Sequence, residues 1–488
     1  MTRAGLYLHA LRVAELRQLG ARVARPVRRR RFPAATRASL TPVAGGVEFW
    51  RSPAFARADL VAGDGEVDVL GASVRFPPAD WELPGEPRLC RFHLQYGDEV
   101  LGWARQGDVG RAREAVAAWI DANPPRPGDA WHPYVVSQRI GNWVAASSLA
   151  PELATAELAG SLARQAAYLS RNLERDVLGN HLIANARALV LAGRALEDDA
   201  LLARGLAVLR GEVPRQVLSD GGHYERSPLY HDLVLRDLLE IRHATGTDEH
   251  DDAIARMSVF SSALRRPDGL PAPFNDAMLE LAPALGLPPA GPGTAVFEET
   301  GYVVVRTGAT WLAFDCGPPS PAFLPAHAHA DALSIQLWHD GRPVVHDPGT
   351  FTYEPGAERD WFRSTRAHAT ASAGGRDQFA LWGAFRSGPL PRVRLVSTSP
   401  LVAEASYGGI RHHRELALTA SELTIADRMS GTDVVEARLP LETRAGIDAD
   451  EWESAWLSER LFERRELPVA VRRYQGEGDW LIRLPVSL

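Results

Sequence analysis

Between residues 81 and 285 the apolar positions recur at three- and four-residue spacings, the period of helices that bury one face. Residues 111–123, 131–149, 151–173, 181–196, 200–212, 228–245 and 250–264 each carry such a stripe, and the links between them are short. That pattern predicts a helical bundle or an (α/α) toroid. At Leu287-Pro288-Pro289-Ala290-Gly291-Pro292-Gly293 the period changes to that of strands. Strands are expected at 302–306, 310–315, 332–339, 343–346, 393–397, 415–419 and 422–428, many separated by glycine or proline turns, as in an antiparallel β-sandwich. The expected organisation is therefore multidomain α+β. It comprises a basic extension and lead-in over 1–80, a toroid over 81–290 and a sandwich over 291–488.

The first 40 residues read as one amphipathic basic helix followed by a proline-interrupted linker, with Leu6, Leu8, Leu11, Val13, Leu16 and Leu19 among arginines. The run Arg28-Arg29-Arg30-Arg31 suits either an anionic surface or a solvated arm. From 47 to 78 only short strand-like pieces occur, such as Glu66-Val67-Asp68-Val69-Leu70, a lead-in and not a domain.

Composition narrows the function classes. A chain of 488 residues with 45% hydrophobic content is long enough for two large cores. A formal charge of −7 argues against nucleic acid as the main partner. Lysine is absent, so every fixed side-chain cation is a guanidinium, the group that binds carboxylate and sulfate in bidentate fashion. Cys90 and Cys316 are too few for a disulfide framework or a cysteine metal site. No apolar run reaches transmembrane length, and residues 1–40 lack the uninterrupted apolar core of a secretory signal. A soluble, cytoplasmic protein is expected, with export by another route and homo-oligomerisation left open.

Candidate chemistry concentrates in Ala326-His327-Ala328-His329-Ala330-Asp331-Ala332-Leu333-Ser334-Ile335. On a strand His327, His329 and Asp331 would share one face with Leu333 and Ile335, and a turn at His339-Asp340-Gly341 would return a second strand carrying Asp347 to their side. With His368, the side chains of His329 and Asp347 offer two imidazoles and a carboxylate, a set suited to zinc. Histidines packed without a ligand are the competing reading.

Three further constellations lie in the helical half. Asn180 and His181 open a helix, and Asn185 shares their face; a simple asparagine cap is the alternative. In Asp220-Gly221-Gly222-His223-Tyr224-Glu225-Arg226-Ser227-Pro228-Leu229-Tyr230, Ser227 and Pro228 read as N-cap and first residue of a helix, with Tyr230 in its first turn or simply in the core. Trp131, Gln138, Arg139 and Trp143 interleave rings with polar groups, as a sugar cleft or as a helix packing two tryptophans.

These motifs, in this order, resemble the heparinase II/III-like polysaccharide lyases: Asn180-His181, the 220–230 segment, His327-Ala328-His329-Ala330-Asp331, His346-Asp347-Pro348-Gly349 and Ala367-His368-Ala369. The resemblance covers roughly residues 80–390. It implies an incomplete (α/α) toroid followed by an antiparallel β-sandwich, and β-elimination on a uronic-acid-containing anionic polysaccharide. It also implies Asn180 and His181 at the uronate carboxylate, Tyr230 or else Tyr224 as catalytic tyrosine, and His327 as second catalytic histidine. A structural zinc on His329, Asp347 and His368 would follow as well. Trp131, Gln138, Arg139, Trp143 and Glu225 complete the expected substrate-binding set. A glycoside hydrolase using Glu225 and Asp276, or a non-catalytic glycan-binding or exopolysaccharide-biosynthesis protein, are the alternatives.

Overall fold

The computed structural model describes residues 2–34, 37–43, 46–52, 65–444 and 447–484. Two N-terminal helices, α1 (Arg3–Val13) and α2 (Leu16–Arg28), stand where the apolar spacing predicts one. The chain is extended at Ala14 and Glu15, and Glu15 starts α2 by a reciprocal capping box with Gln18. In the lead-in, Glu66–Val69 pairs antiparallel with Ala72–Arg75. Residues 53–64 of that lead-in lie outside the described residues.

The helical half follows the predicted stripes closely. Its centre is Gly179–Ala195, buried on nearly every side and packed against Pro133–Leu149, Asp199–Gln216 and Pro228–Thr245. A helix apolar all round belongs inside a bundle. Pro228–Thr245 begins as the sequence predicts, with Pro228 in its first turn and the Ser227 hydroxyl accepting from Tyr230 N. The expected helix over 151–173 is shorter: a 3₁₀ turn at Pro151–Leu153 comes first, and the α-helix Ala156–Arg171 starts at the Thr155 cap.

Among the described residues the β half contains three larger antiparallel sheets and a two-stranded one, Leu381–Trp382 with Arg386–Ser387. Gly293–Phe297, Tyr302–Arg306, Thr310–Asp315, Ile335–His339 and Arg342–Val345 form one in chain order. A second five-stranded sheet runs from Arg392–Thr398 to Glu422–Ser430 and closes with Glu477–Arg483. Glu451–Arg460, Glu463–Tyr474, Val435–Pro440 and Ala371–Ala373 form the third. Val303, Leu312, Leu337, Ala403, Leu423 and Leu439 belong to one shared core. Phe260 and Leu264 of the last toroid helix pack with Tyr302 and Trp311 of the first sheet, joining the two halves.

One expected strand is corrected. The sheet takes up only Ile335–His339, and residues 327–334 form an irregular loop in which Leu333 has φ +65°. Partners outside any sheet hold its backbone: His329 N donates to Asn275 Oδ1 (2.9 Å), Ala330 N to Arg363 O (2.9 Å) and Ser334 N to Asp331 O (2.9 Å). Alternation along a strand therefore does not orient His327, His329 and Asp331. The turn at His339-Asp340-Gly341 is as expected, with His339 paired to Arg342.

Candidate active site

The first turn of Gly179–Ala195 is built by its surroundings. Gly179 has φ +58°, and a Cβ there would meet Glu225 Oε1 at 2.1 Å, so the close approach requires glycine. Gly179 N donates to the Tyr224 hydroxyl (2.9 Å), and Asn180 N donates to Glu225 Oε1 (2.7 Å). Asn180 and His181 thus sit at a helix start whose backbone N–H groups are satisfied from the 220–230 segment. His181 Nδ1 lies 3.2 Å from Glu174 Oε2. Asn185 holds that carboxylate, with Nδ2 donating to Oε2 at 3.2 Å and Oδ1 accepting from Glu174 N at 2.8 Å. Burial works against the imidazolium, yet the Glu174 carboxylate raises the His181 pKa above its ordinary value.

Asp276 is the hub on the other side. Arg359 grips both its oxygens, His327 Nδ1 lies 3.1 Å from Oδ2, and His329 Nε2 lies 2.9 Å from Oδ1. Burial opposes ionisation, but Arg359 and then the two histidines hold its carboxyl well below the usual carboxylate range. His327 Nε2 faces Glu225 Oε2 at 3.2 Å, so each nitrogen of this ring meets a carboxylate oxygen. The Tyr230 ring stacks on His327 with centroids 3.8 Å apart and planes 24° apart. Its hydroxyl is 2.8 Å from that of Tyr353. Burial, then Tyr353 and Asp276, push the Tyr230 phenol well above its ordinary pKa, so it keeps its proton at neutral pH.

Behind this lies a second buried cluster. Ligand-type atoms of His329, Asp331 and His368 lie within 4.8 Å of one another. His329 Nδ1, both Asp331 carboxylate oxygens and His368 Nε2 are buried and lack a hydrogen-bond partner. Buried polar atoms are rarely left so, and two imidazoles with a carboxylate are a donor set that zinc accepts. The opposite nitrogens are fixed from outside, His329 Nε2 by Asp276 and His368 Nδ1 by Asp347 Oδ2 at 2.9 Å. The sequence reading takes Asp347 as the carboxylate ligand; here its oxygens serve His368 Nδ1 and Gly349 N, and Asp331 stands among the unpartnered atoms.

The family model for the heparinase II/III N-terminus matches residues 87–281, and that for the heparinase II/III-like C-terminal region matches 289–467. The chain belongs to the heparinase II/III-like family. The heparin-sulfate lyase of Bacteroides stercoris is 26% identical over 363 residues, covering 62% of this chain and 52% of that protein. The FtsZ-localized protein C of Caulobacter vibrioides is 31% identical over 229 residues, covering 42% of this chain and 38% of that protein. A crystal structure of heparinase III superposes with TM-score 0.71 at 17% identity, covering 96% of this chain and 90% of that one. The toroid-and-sandwich fold is thus shared, while the chain spans about half the length of the heparin-sulfate lyases it matches.

Within this heparinase II/III-like chain the predicted residues divide into two groups. Asn180, His181, Glu225, Tyr230 and His327 come together. Trp131, Gln138, Arg139 and Trp143 do not join them; all four are buried in the toroid. The Arg139 guanidinium donates to Gln165 Oε1 (2.9 Å), Gln95 O (2.7 Å) and Ala130 O (2.9 Å), and lies 3.8 Å from the Trp119 ring centroid. The helix turns this polar and aromatic stripe into the bundle because internal acceptors satisfy the guanidinium there. The Tyr224 hydroxyl accepts from Gly179 N, whereas the Tyr230 ring stacks on His327. Sequence reasoning missed Glu174, Tyr353 and Arg359. An acid six residues before Asn180, and an aromatic and an arginine shortly after the Asp347-Pro348-Gly349 turn, were the available signals.

Proposed function

We propose that this chain is a polysaccharide lyase that cleaves a uronic-acid-containing anionic polysaccharide by β-elimination. The observation that carries the reading is the stack of Tyr230 on His327. It joins a toroid residue to a sandwich residue at the junction that also holds Asn180 and His181.

Abstraction of the C5 proton of a uronate places charge on a carboxylate that is already negative, so the site must neutralise that group. Asn180 and the His181 cation kept by Glu174 serve this role, and one such donor typically contributes about 10² to 10³ in rate. To accept the C5 proton, His327 turns Nε2 from Glu225 Oε2 to the substrate, while Asp276 at Nδ1 holds the ring and stabilises the resulting imidazolium. The electron pair forms the C4=C5 double bond as C4–O4 breaks. The Tyr230 phenol then gives its proton to the departing O4. Tyr353 and Arg359 orient that phenol and Asp276.

A structural zinc fits His329, His368 and Asp331, with Asp347 orienting His368. It would pin the loop that presents His327 and take no part in proton transfer. The hydrolase alternative needs a protonated carboxyl as general acid. Asp276 is held ionised and fully paired, and Glu225 is engaged by Asn180 N and His327, so the lyase reading is favoured. Glycosaminoglycan and bacterial exopolysaccharide both satisfy the chemistry. Incubation with a panel of uronate polymers, followed by ultraviolet absorbance of the new double bond, tests the assignment.

A further inference from the structure

Residues 1–40 hold ten arginines and one glutamate, a net +9 in a chain whose formal charge is −7. Both family-model matches begin later, at 87 and 289. The arm docks by its polar side. Arg17 pairs with Glu212, Arg25 Nη1 lies 2.9 Å from Asp176 Oδ2, and Arg29 Nη2 lies 3.5 Å from Glu174 Oε1, the same carboxylate that holds His181. Gln18, 1% exposed, reaches Phe323 O in the β half. The Tyr7 and Trp382 rings meet edge-on at 4.8 Å.

The apolar side faces water. Of the thirteen large apolar side chains exposed among the described residues, Tyr7, Leu8, Leu11, Leu16, Val23 and Val27 lie on α1 and α2. Leu16, Val23 and Val27 form one stripe of α2 and are 87%, 82% and 58% exposed. A helix that only packs on its own domain turns such a stripe inward; this one turns polar residues inward. Arg22, Arg30 and Arg31 flank the stripe, exposed and without an ion pair among the described residues.

We propose that α1 and α2 form an interfacial anchor that lays this stripe into an anionic lipid bilayer. The arginine charge fits anionic headgroups, and the apolar side chains fit the acyl boundary beneath them. A soluble polyanion complements the charge alone and leaves Leu16, Val23 and Val27 in water. Because Arg29 shares Glu174 with His181, the anchor is fixed to the catalytic rim, and the cleft would keep one orientation to the membrane plane. The inference stands apart from the lyase assignment, since lipid binding is read without any glycan.

The test is sedimentation of the full chain with vesicles of phosphatidylcholine, alone or mixed with phosphatidylglycerol. The expected result is binding to the mixed vesicles that weakens with salt. Replacing Leu16, Val23 and Val27 by serine together should weaken it on the order of 10²-fold or more. Arg22→Gln with Arg30→Gln and Arg31→Gln should weaken it by a similar order and remove the preference for the anionic lipid. Both variants keep the docking residues, so their melting temperatures should match the parent. Failure of the parent to sediment with mixed vesicles overturns the proposal, as does undiminished binding of the serine variant. If soluble polyuronate binds the arm and the serine variant binds it equally well while vesicles are ignored, the arm is a glycan site instead.

Discussion

Tyr230 and His327 come from opposite halves of the molecule, yet their rings stack with centroids 3.8 Å apart. The contact couples the two proposed proton carriers, and the Tyr230 hydroxyl has the Tyr353 hydroxyl as its partner at 2.8 Å. Tyr230→Phe keeps the stack and removes only the donor. Turnover should fall by roughly 10² to 10⁴, with KM and melting temperature nearly unchanged. Tyr224→Phe frees Gly179 N and should chiefly lower stability, by about 1 to 3 kcal/mol. Steady-state kinetics and melting curves of the two variants check the division of roles.

Glu174 raises the His181 pKa against the effect of burial, and the proposed chemistry needs the His181 cation at the uronate carboxylate. Activity should therefore be full at low pH on this limb and decline as pH rises through the raised His181 pKa, above the ordinary 6.5. Glu174→Gln removes the charge that raises it, so the basic limb of the kcat profile should move to lower pH. The pH–rate profiles of parent and variant, measured at saturating substrate, check this. A basic limb left in place would remove Glu174 from the role.

Protein purified without chelator should contain one equivalent of zinc by elemental analysis. Asp331→Asn and His368→Ala should abolish it, because each removes a ligand-type atom from the unpartnered cluster. Asp347→Asn leaves that cluster but frees His368 Nδ1, and should weaken zinc by about 10- to 100-fold in a chelator competition. Loss of zinc from Asp347→Asn with retention in Asp331→Asn would return the ligand role to Asp347.

Arg139→Ala should act on folding. It leaves Gln165 Oε1, Gln95 O and Ala130 O unpaired inside the toroid and opens a cavity against Trp119. The loss should be about 3 to 5 kcal/mol in urea unfolding, with KM of the remaining folded enzyme unchanged.

The helices were legible because each is long enough to repeat its apolar stripe several times, as Pro228–Thr245 does between its Ser227 cap and Gly246. The histidine loop was not, because alternation from His327 to Ile335 has the period of a strand while contacts distant in sequence set the backbone. Asn275, 54 residues before His329, is one of them. Arg139 misled for a related reason: a polar residue among aromatics reads the same in a cleft and in a core until its acceptors are known, and two of the three are backbone carbonyls. Glu174, Tyr353 and Arg359 carry no local motif; only folding brings them to His181, Tyr230 and Asp276.

The most direct test of the lyase assignment is product analysis after incubation with heparan-type, chondroitin-type and bacterial exopolysaccharide uronate polymers, by ultraviolet absorbance and mass. The expected result, for at least one polymer, is a chain end with a C4=C5 double bond and no water added, formed roughly 10²- to 10⁴-fold more slowly by Tyr230→Phe. Saturated reducing ends with water added, abolished by Glu225→Gln and retained in Tyr230→Phe, would contradict it.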